Sequence, residues 1–197
     1  MPRPSLREKL LKAGVQQLWK DGYAGAGVRD IVAAAGARPG SFTNHFASKE
    51  DFACEVLERY FAYVTGLVEA ALSADGLSAP ERLRRYLDAI TAKLEGAAWA
   101  RGCLIGNFSL ETAASNERLR QKLSKLFERW RAPFAACIAQ GQAAGDIATT
   151  FGADDLADFL LAGWQGAMLR MKVDHSPAPL ERFKSIVFAT VFGRPSS

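Results

Sequence analysis

Histidine and cysteine are scarce in this chain: two of the former (His45, His175) and three of the latter (Cys54, Cys103, Cys137) among 197 residues. An odd number of widely scattered cysteines excludes a disulfide framework and suits a reducing compartment. With so few imidazoles and thiols no metal-ligand spacing forms, and neither a metal nor a cofactor is expected. Long apolar runs are missing as well. The longest, Phe159 to Leu169, falls short of the ~20 residues that span a bilayer. The opening residues hold no apolar signal-type stretch, so a cytoplasmic protein is expected. There is no Gly-rich phosphate loop and no nucleophile elbow. Alternation of apolar and polar residues never lasts long enough for a strand. What remains is an all-α chain.

Its positive charge is modest but confined. The formal net charge is +4; residues 1–50 hold eight Lys/Arg against four Asp/Glu, while residues 51–197 hold 17 of each. The whole surplus sits on the first quarter of the chain, as expected of a nucleic-acid-binding head on a neutral body.

Ser5 is placed to cap a first helix running to about Asp21, with Leu11, Val15 and Leu18 on one face, and Gly22 ends it. Arg3, Arg7, Lys9 and Lys12 crowd its start as a solvated surface. Arg3 and the tail before it are within reach of phosphate or minor groove. The organising stretch follows, VRDIVAAAGARPGSFTNHF, residues 28–46. Val28, Ile31, Val32 and Ala35 recur at helical spacing and Gly36 supplies a stop. Pro39 is read as opening a second short helix, whose Phe42 and Phe46 point inward and leave Gly40, Ser41 and Asn44 outward. Two short helices around a Gly-containing turn describe a helix-turn-helix, and Ser41, Thr43, Asn44 and His45 offer donors and acceptors to base edges. A helical hairpin with a polar outer face, never touching DNA, has the same spacing.

The segment GSFTNHFASKEDF, preceded by VRDIVAAAGARP, resembles the DNA-binding segment of the TetR family of transcriptional regulators. Thr43 stands where a tyrosine is usual in that family, and Gly27 where a Ser or Thr cap is usual. The resemblance implies DNA contacts from Arg38, Pro39, Gly40, Ser41, Thr43, Asn44, His45 and Lys49. Ser48 and Asp51 form a capping box for a long helix to about Leu72. Lys49 lies in its first turn, where the helix dipole also favours phosphate.

After the loop Ser73–Pro80, helices are expected at about Pro80–Ala97, Cys103–Ala114, Glu117–Ala144, Ala153–Lys172 and Ala178–Phe192, with Pro133 kinking the third. The expected architecture has about nine helices. Residues 1–48 form a three-helix DNA-binding head; residues 49–197 form a ligand-binding and dimerisation body.

Small and large residues alternate on the last two helices (Phe159, Gly163, Gly166, Ala167, Arg170; Phe183, Ile186, Val187, Thr190, Val191). Either core or an interface would produce that pattern, and the resemblance implies a homodimer. A dimer also places two reading elements ~34–36 Å apart on a palindromic operator.

Trp99, Phe108, Phe127, Trp130, Phe134, Trp164 and Met168 are core residues first. Several helices converging on an apolar cavity would nonetheless make a small-ligand site from Trp99, Phe108, Trp130, Trp164 and Met168. Cys103, at a helix start, would gain thiolate character from the dipole. RGCLIGN and WQGAMLRMK resemble the electrophile-responsive, N-ethylmaleimide-type branch of the family, and that alignment brings Lys172 towards Cys103. An inert packed thiol is the alternative; Cys54 and Cys137 are read so. The function expected is a dimeric DNA-binding regulator, a repressor released by a small apolar or electrophilic effector. A small all-α enzyme and a helical protein-binding adaptor are the alternatives.

Overall fold

The computed structural model describes residues 5–193. Among them are eight α-helices, one 3-10 turn and no strand: α1 (Leu6–Gly25), α2 (Val28–Ala34), the 3-10 turn Ser41–Asn44, α3 (Lys49–Leu72), α4 (Ala79–Glu95), α5 (Leu104–Thr112), α6 (Glu117–Ala143), α7 (Ala153–Asp174) and α8 (Ala178–Thr190). The expected ninth α-helix is the 3-10 turn. Arg3, the one expected contact on the opening tail, lies outside the described residues.

Local chemistry accounts for the boundaries. Ser5 Oγ accepts the Glu8 N–H at 3.2 Å and caps α1. Gly22 breaks that helix as expected, at φ 74 and ψ 179, but a further turn to Gly25 follows the break. Gly36 ends α2 at φ 63, with the Ala37 N–H returning to the Val32 carbonyl at 3.0 Å. At Ser48 the hydroxyl accepts the Asp51 N–H and donates to the Asp51 carboxylate, each at 3.0 Å, so Ser48 caps α3 as expected, while the carboxylate meets its hydroxyl instead of its backbone N–H. Ser78 and Glu81 form a second box at α4 that periodicity did not reveal. Helix α6 continues through Pro133.

Packing divides the chain into two compact units that ignore chain order: Met1–Tyr63 with Leu104–Leu126, and Val64–Cys103 with Phe127–Ser197. The first holds α1, α2, the 3-10 turn, the start of α3, α5 and the start of α6. Its core is Leu10, Leu18, Ile31, Phe42, Phe46, Phe52 and Val56, all buried, with Phe52 and Val56 one helical turn apart on α3. Asp51 pairs with Arg118 and Glu58 with Lys122, while Asn116 donates to Glu50. These contacts tie the start of α6 to the start of α3.

The second unit is built on α4, α7, α8 and the later turns of α3 and α6. Tyr86 meets Phe134 edge to face at 5.0 Å. Arg82 reaches the Leu72 carbonyl and Gln140, each at 2.9 Å, satisfying an end carbonyl of α3. Lys184 on α8 is buried and pairs with Asp88 on α4 at 2.7 Å and with Glu181 at 2.8 Å. Gly163 takes the Phe183 ring so closely that a Cβ would lie 2.5 Å from it. That glycine, with buried Ala167 and Val187, is therefore spent on packing inside the chain.

Candidate nucleic-acid interface

The rim that would meet DNA hangs on three rings. Phe42 and Phe46 are 5% and 4% exposed, and their centroids lie 5.1 and 4.8 Å from that of Phe52, both edge to face. Side chains one and two positions on from Phe42 necessarily point elsewhere, and Thr43 and Asn44 are exposed.

Pro39 does not open a helix. Gly40 is left-handed, at φ 84 and ψ −14, and the Ser41 N–H reaches the Arg38 carbonyl at 3.2 Å. Proline followed by glycine at positive φ, closed by a bond across four residues, makes a type II turn. The reading element is thereby shortened to one tight turn, continued by N–H bonds from His45 and Phe46 to the Phe42 carbonyl at 3.0 Å each. A Cβ built on Gly40 would meet nothing within 4 Å. Backbone conformation, not crowding, reserves that position for glycine.

Hydrogen bonding sorts the rim by what it can offer. The Ser41 hydroxyl donates to the Arg38 carbonyl at 2.7 Å and Thr43 to the Gly40 carbonyl at 3.0 Å. Both oxygens keep lone pairs facing out, so they present acceptors, suited to an exocyclic amine of adenine or cytosine. Arg38, Pro39, Gly40 and Asn44 are exposed beside them. His45 is half-buried, its ring 6.3 Å from that of Phe46. Lys49 stands over the Tyr23 ring at 4.8 Å, an attraction sequence reasoning did not anticipate, because Tyr23 belongs to the turn after Gly22. The eight expected residues thus share one segment, with Lys49 already engaged from within.

The expected effector residues separate. Phe108 belongs to the first unit, its ring 5.8 Å from that of Tyr23. Trp99, Cys103, Trp130, Trp164, Met168 and Lys172 belong to the second. Trp99 is half-buried in the segment before α5, where Ala98 and Trp99 carry φ of 50 and 61, values L-residues adopt at a cost. Cys103 is 6% exposed and directly precedes α5. Lys172 is exposed.

The ionisable neighbour legible only in three dimensions is Tyr86 on α4. Burial drives its phenol far up, the charge of Cys103 adds to that, and Trp130 opposes it. The phenol therefore stays protonated and can act as a donor. Trp130 and Trp164 are buried, and neither indole N–H closes a bond of good geometry. Burial pushes the thiols of Cys54 and Cys137 up, in keeping with packing. Among the described residues no cluster of potential metal ligands forms, and no helix is long and apolar enough to cross a membrane.

Comparison with known proteins agrees with this geometry. Residues 10–56 match the family described as bacterial regulatory proteins, tetR family, and residues 79–187 match the tetracyclin repressor-like C-terminal domain. The HTH-type transcriptional repressor DhaR of Mycobacterium sp. (strain GP1) is 42% identical over 188 residues, covering 95% of this chain and 93% of its own. A crystal structure of a regulatory protein TetR from Rhodobacter sphaeroides superposes with a TM-score of 0.89 at 31% identity, covering 95% of this chain and all of that one. Reduced Escherichia coli NemR does so at 0.85 and 27%, over 98% and 100%. The chain belongs to the TetR family of bacterial regulatory proteins, DNA-binding regulators of transcription that act as dimers.

Proposed function

We propose that this chain is a cytoplasmic homodimeric repressor that reads a palindromic operator with the rim Arg38–Asn44 and is released by a small effector. Residues 1–48 form the reading head and residues 49–197 carry effector binding and dimerisation. The observation that carries this reading is the anchored turn: two buried phenylalanines hold an outward edge of acceptors and a free amide, at a backbone that only glycine lets approach. Arg38 and Lys49 supply phosphate contacts; Asn44 and Ser41 read bases, and His45 borders them. The named relatives are regulators of transcription, which favours this reading over an enzyme or an adaptor.

Dimerisation runs through α7 and α8. Phe159, Leu169 and Val173 on α7 and Ile186 on α8 remain exposed large apolar residues, and Phe159, Gly166, Leu169 and Val173 follow a seam-like spacing. The effector is an apolar or electrophilic molecule bound in the body among Trp99, Trp130, Trp164 and Met168. Cys103 is its covalent target where it is electrophilic. Tyr86, kept protonated by burial, joins Lys172 as a group that would donate to an oxygen of such a molecule.

The test begins with a random-sequence duplex pool enriched on the wild-type protein. Asn44→Ala and Ser41→Ala dimers should stay folded and lose preference for the enriched duplex over a scrambled one. Either variant retaining full discrimination would remove that residue from base reading. For the sensor, N-ethylmaleimide should alkylate Cys103 and release the duplex. A Cys103→Ala protein released equally well would end the covalent reading.

A further inference from the structure

The break in α1 is held by a residue nearly ninety positions away. Both oxygens of the Glu111 carboxylate, at the far end of α5, accept backbone N–H groups: Tyr23 at 2.7 Å and Ala24 at 2.6 Å. These are the two amides that open the extra turn after Gly22, where the broken helix leaves donors unpaired. Gly22 is at φ 74, and a Cβ on it would lie 2.8 Å from Glu111 Oε2. Glycine is thus required twice over, by conformation and by the carboxylate pressed against it. Phe108, one turn earlier on α5, packs on the Tyr23 ring. From this elbow the chain goes straight to buried Ala26 and then into α2.

We propose that Glu111 is a positioning residue for DNA reading: its two-oxygen grip on the Tyr23 and Ala24 amides sets the angle at which α1 hands the chain to α2 and the reading turn. The proposal rests on the reading of Arg38–Asn44 as the DNA-facing rim. Helix α5 holds α1 through the two oxygens of Glu111. The start of α6, by comparison, grips α3 at three places. Helix α5 has nine residues, with Glu111 the eighth, and begins just after Cys103. Any tilt or slide of α5 either drags the elbow or parts the two bonds. In both cases the reading turn is re-aimed.

Glu111 is exposed, so truncating it opens no cavity and the variants should fold. Glu111→Ala is expected to bind the enriched duplex about tenfold more weakly, with Glu111→Gln, which keeps one acceptor oxygen, in between. The Tyr23 and Ala24 amides should exchange with solvent roughly tenfold faster in Glu111→Ala. The melting temperature should stay put, a split that a merely structural role would not give. Leu110→Ala, at a neighbouring position 73% exposed, is the control and should change none of these. Unaltered duplex affinity in Glu111→Ala, with the two amides exchanging faster, would overturn the positioning role and leave the DNA reading standing. Amides as protected in Glu111→Ala as in the wild type would overturn the grip itself. A wild-type protein that enriches no duplex would sink both.

Discussion

Gly40→Ala isolates the conformation of the reading turn from everything around it. The position is left-handed and open on the side where a Cβ would grow, so the methyl group meets no neighbour within the chain. Its cost is then the left-handed penalty for an L-residue, ~1–2 kcal/mol. Against it stands the entropy that alanine removes from the unfolded chain, ~0.4–1 kcal/mol. The net loss is about 1 kcal/mol, or roughly 2–4 °C in melting temperature for a chain of this size.

Gly36→Ala is the matched control. It too has positive φ, at 63, and open space, but it ends α2 away from the rim. Both variants should melt earlier by similar amounts. Only Gly40→Ala should also lose about tenfold or more in affinity for the enriched duplex, because relaxing its strain swings Ser41 and Asn44 out of register, and tenfold corresponds to ~1.4 kcal/mol. Gly40→Asn should recover most of the stability, since asparagine tolerates this region. Thermal melts and fluorescence-anisotropy titrations at one fixed salt concentration measure both quantities. Should Gly40→Ala and Gly36→Ala weaken duplex binding equally, the turn is not the reading element. If neither lowers the melting temperature, the left-handed geometry is wrong.

Two further outcomes are expected. Ile186→Glu or Leu169→Glu, at exposed sites on α8 and α7, should shift the particle to monomers in sedimentation and abolish operator binding; fully dimeric variants would refute the α7–α8 interface. For Lys184, burial alone would lower the pKa, but the hydrogen bonds its ammonium donates to Asp88 and Glu181 outweigh it and the net direction is up from 10.5. Its contribution is therefore complete below the unfolded lysine value and disappears as pH rises through the higher folded one. Wild type should lose melting temperature in that alkaline range more steeply than Lys184→Met, and parallel curves would disprove the linkage.

Helices, caps and the helix-turn-helix segment were legible in the residues because each signal is local. Period 3.6, a serine three positions before a carboxylate, and a glycine after an apolar stripe act over one or two turns, and α3, α6 and α7 begin where those signals place them. Pro39 was also a local signal, but an ambiguous one. It suits the first position of a helix and equally the second position of a type II turn; the glycine beside it decides for the turn, which replaced the expected reading helix by a 3-10 turn. What tertiary structure alone decided concerns partners far apart in the chain. Glu111 at the elbow, Lys49 over Tyr23, Tyr86 near Cys103 and the assignment of Phe108 to the first unit leave no pattern in any short window. A carboxylate on an amphipathic helix looks the same from the sequence whether it faces water or two orphaned amides, since only packing determines which donors lie opposite it.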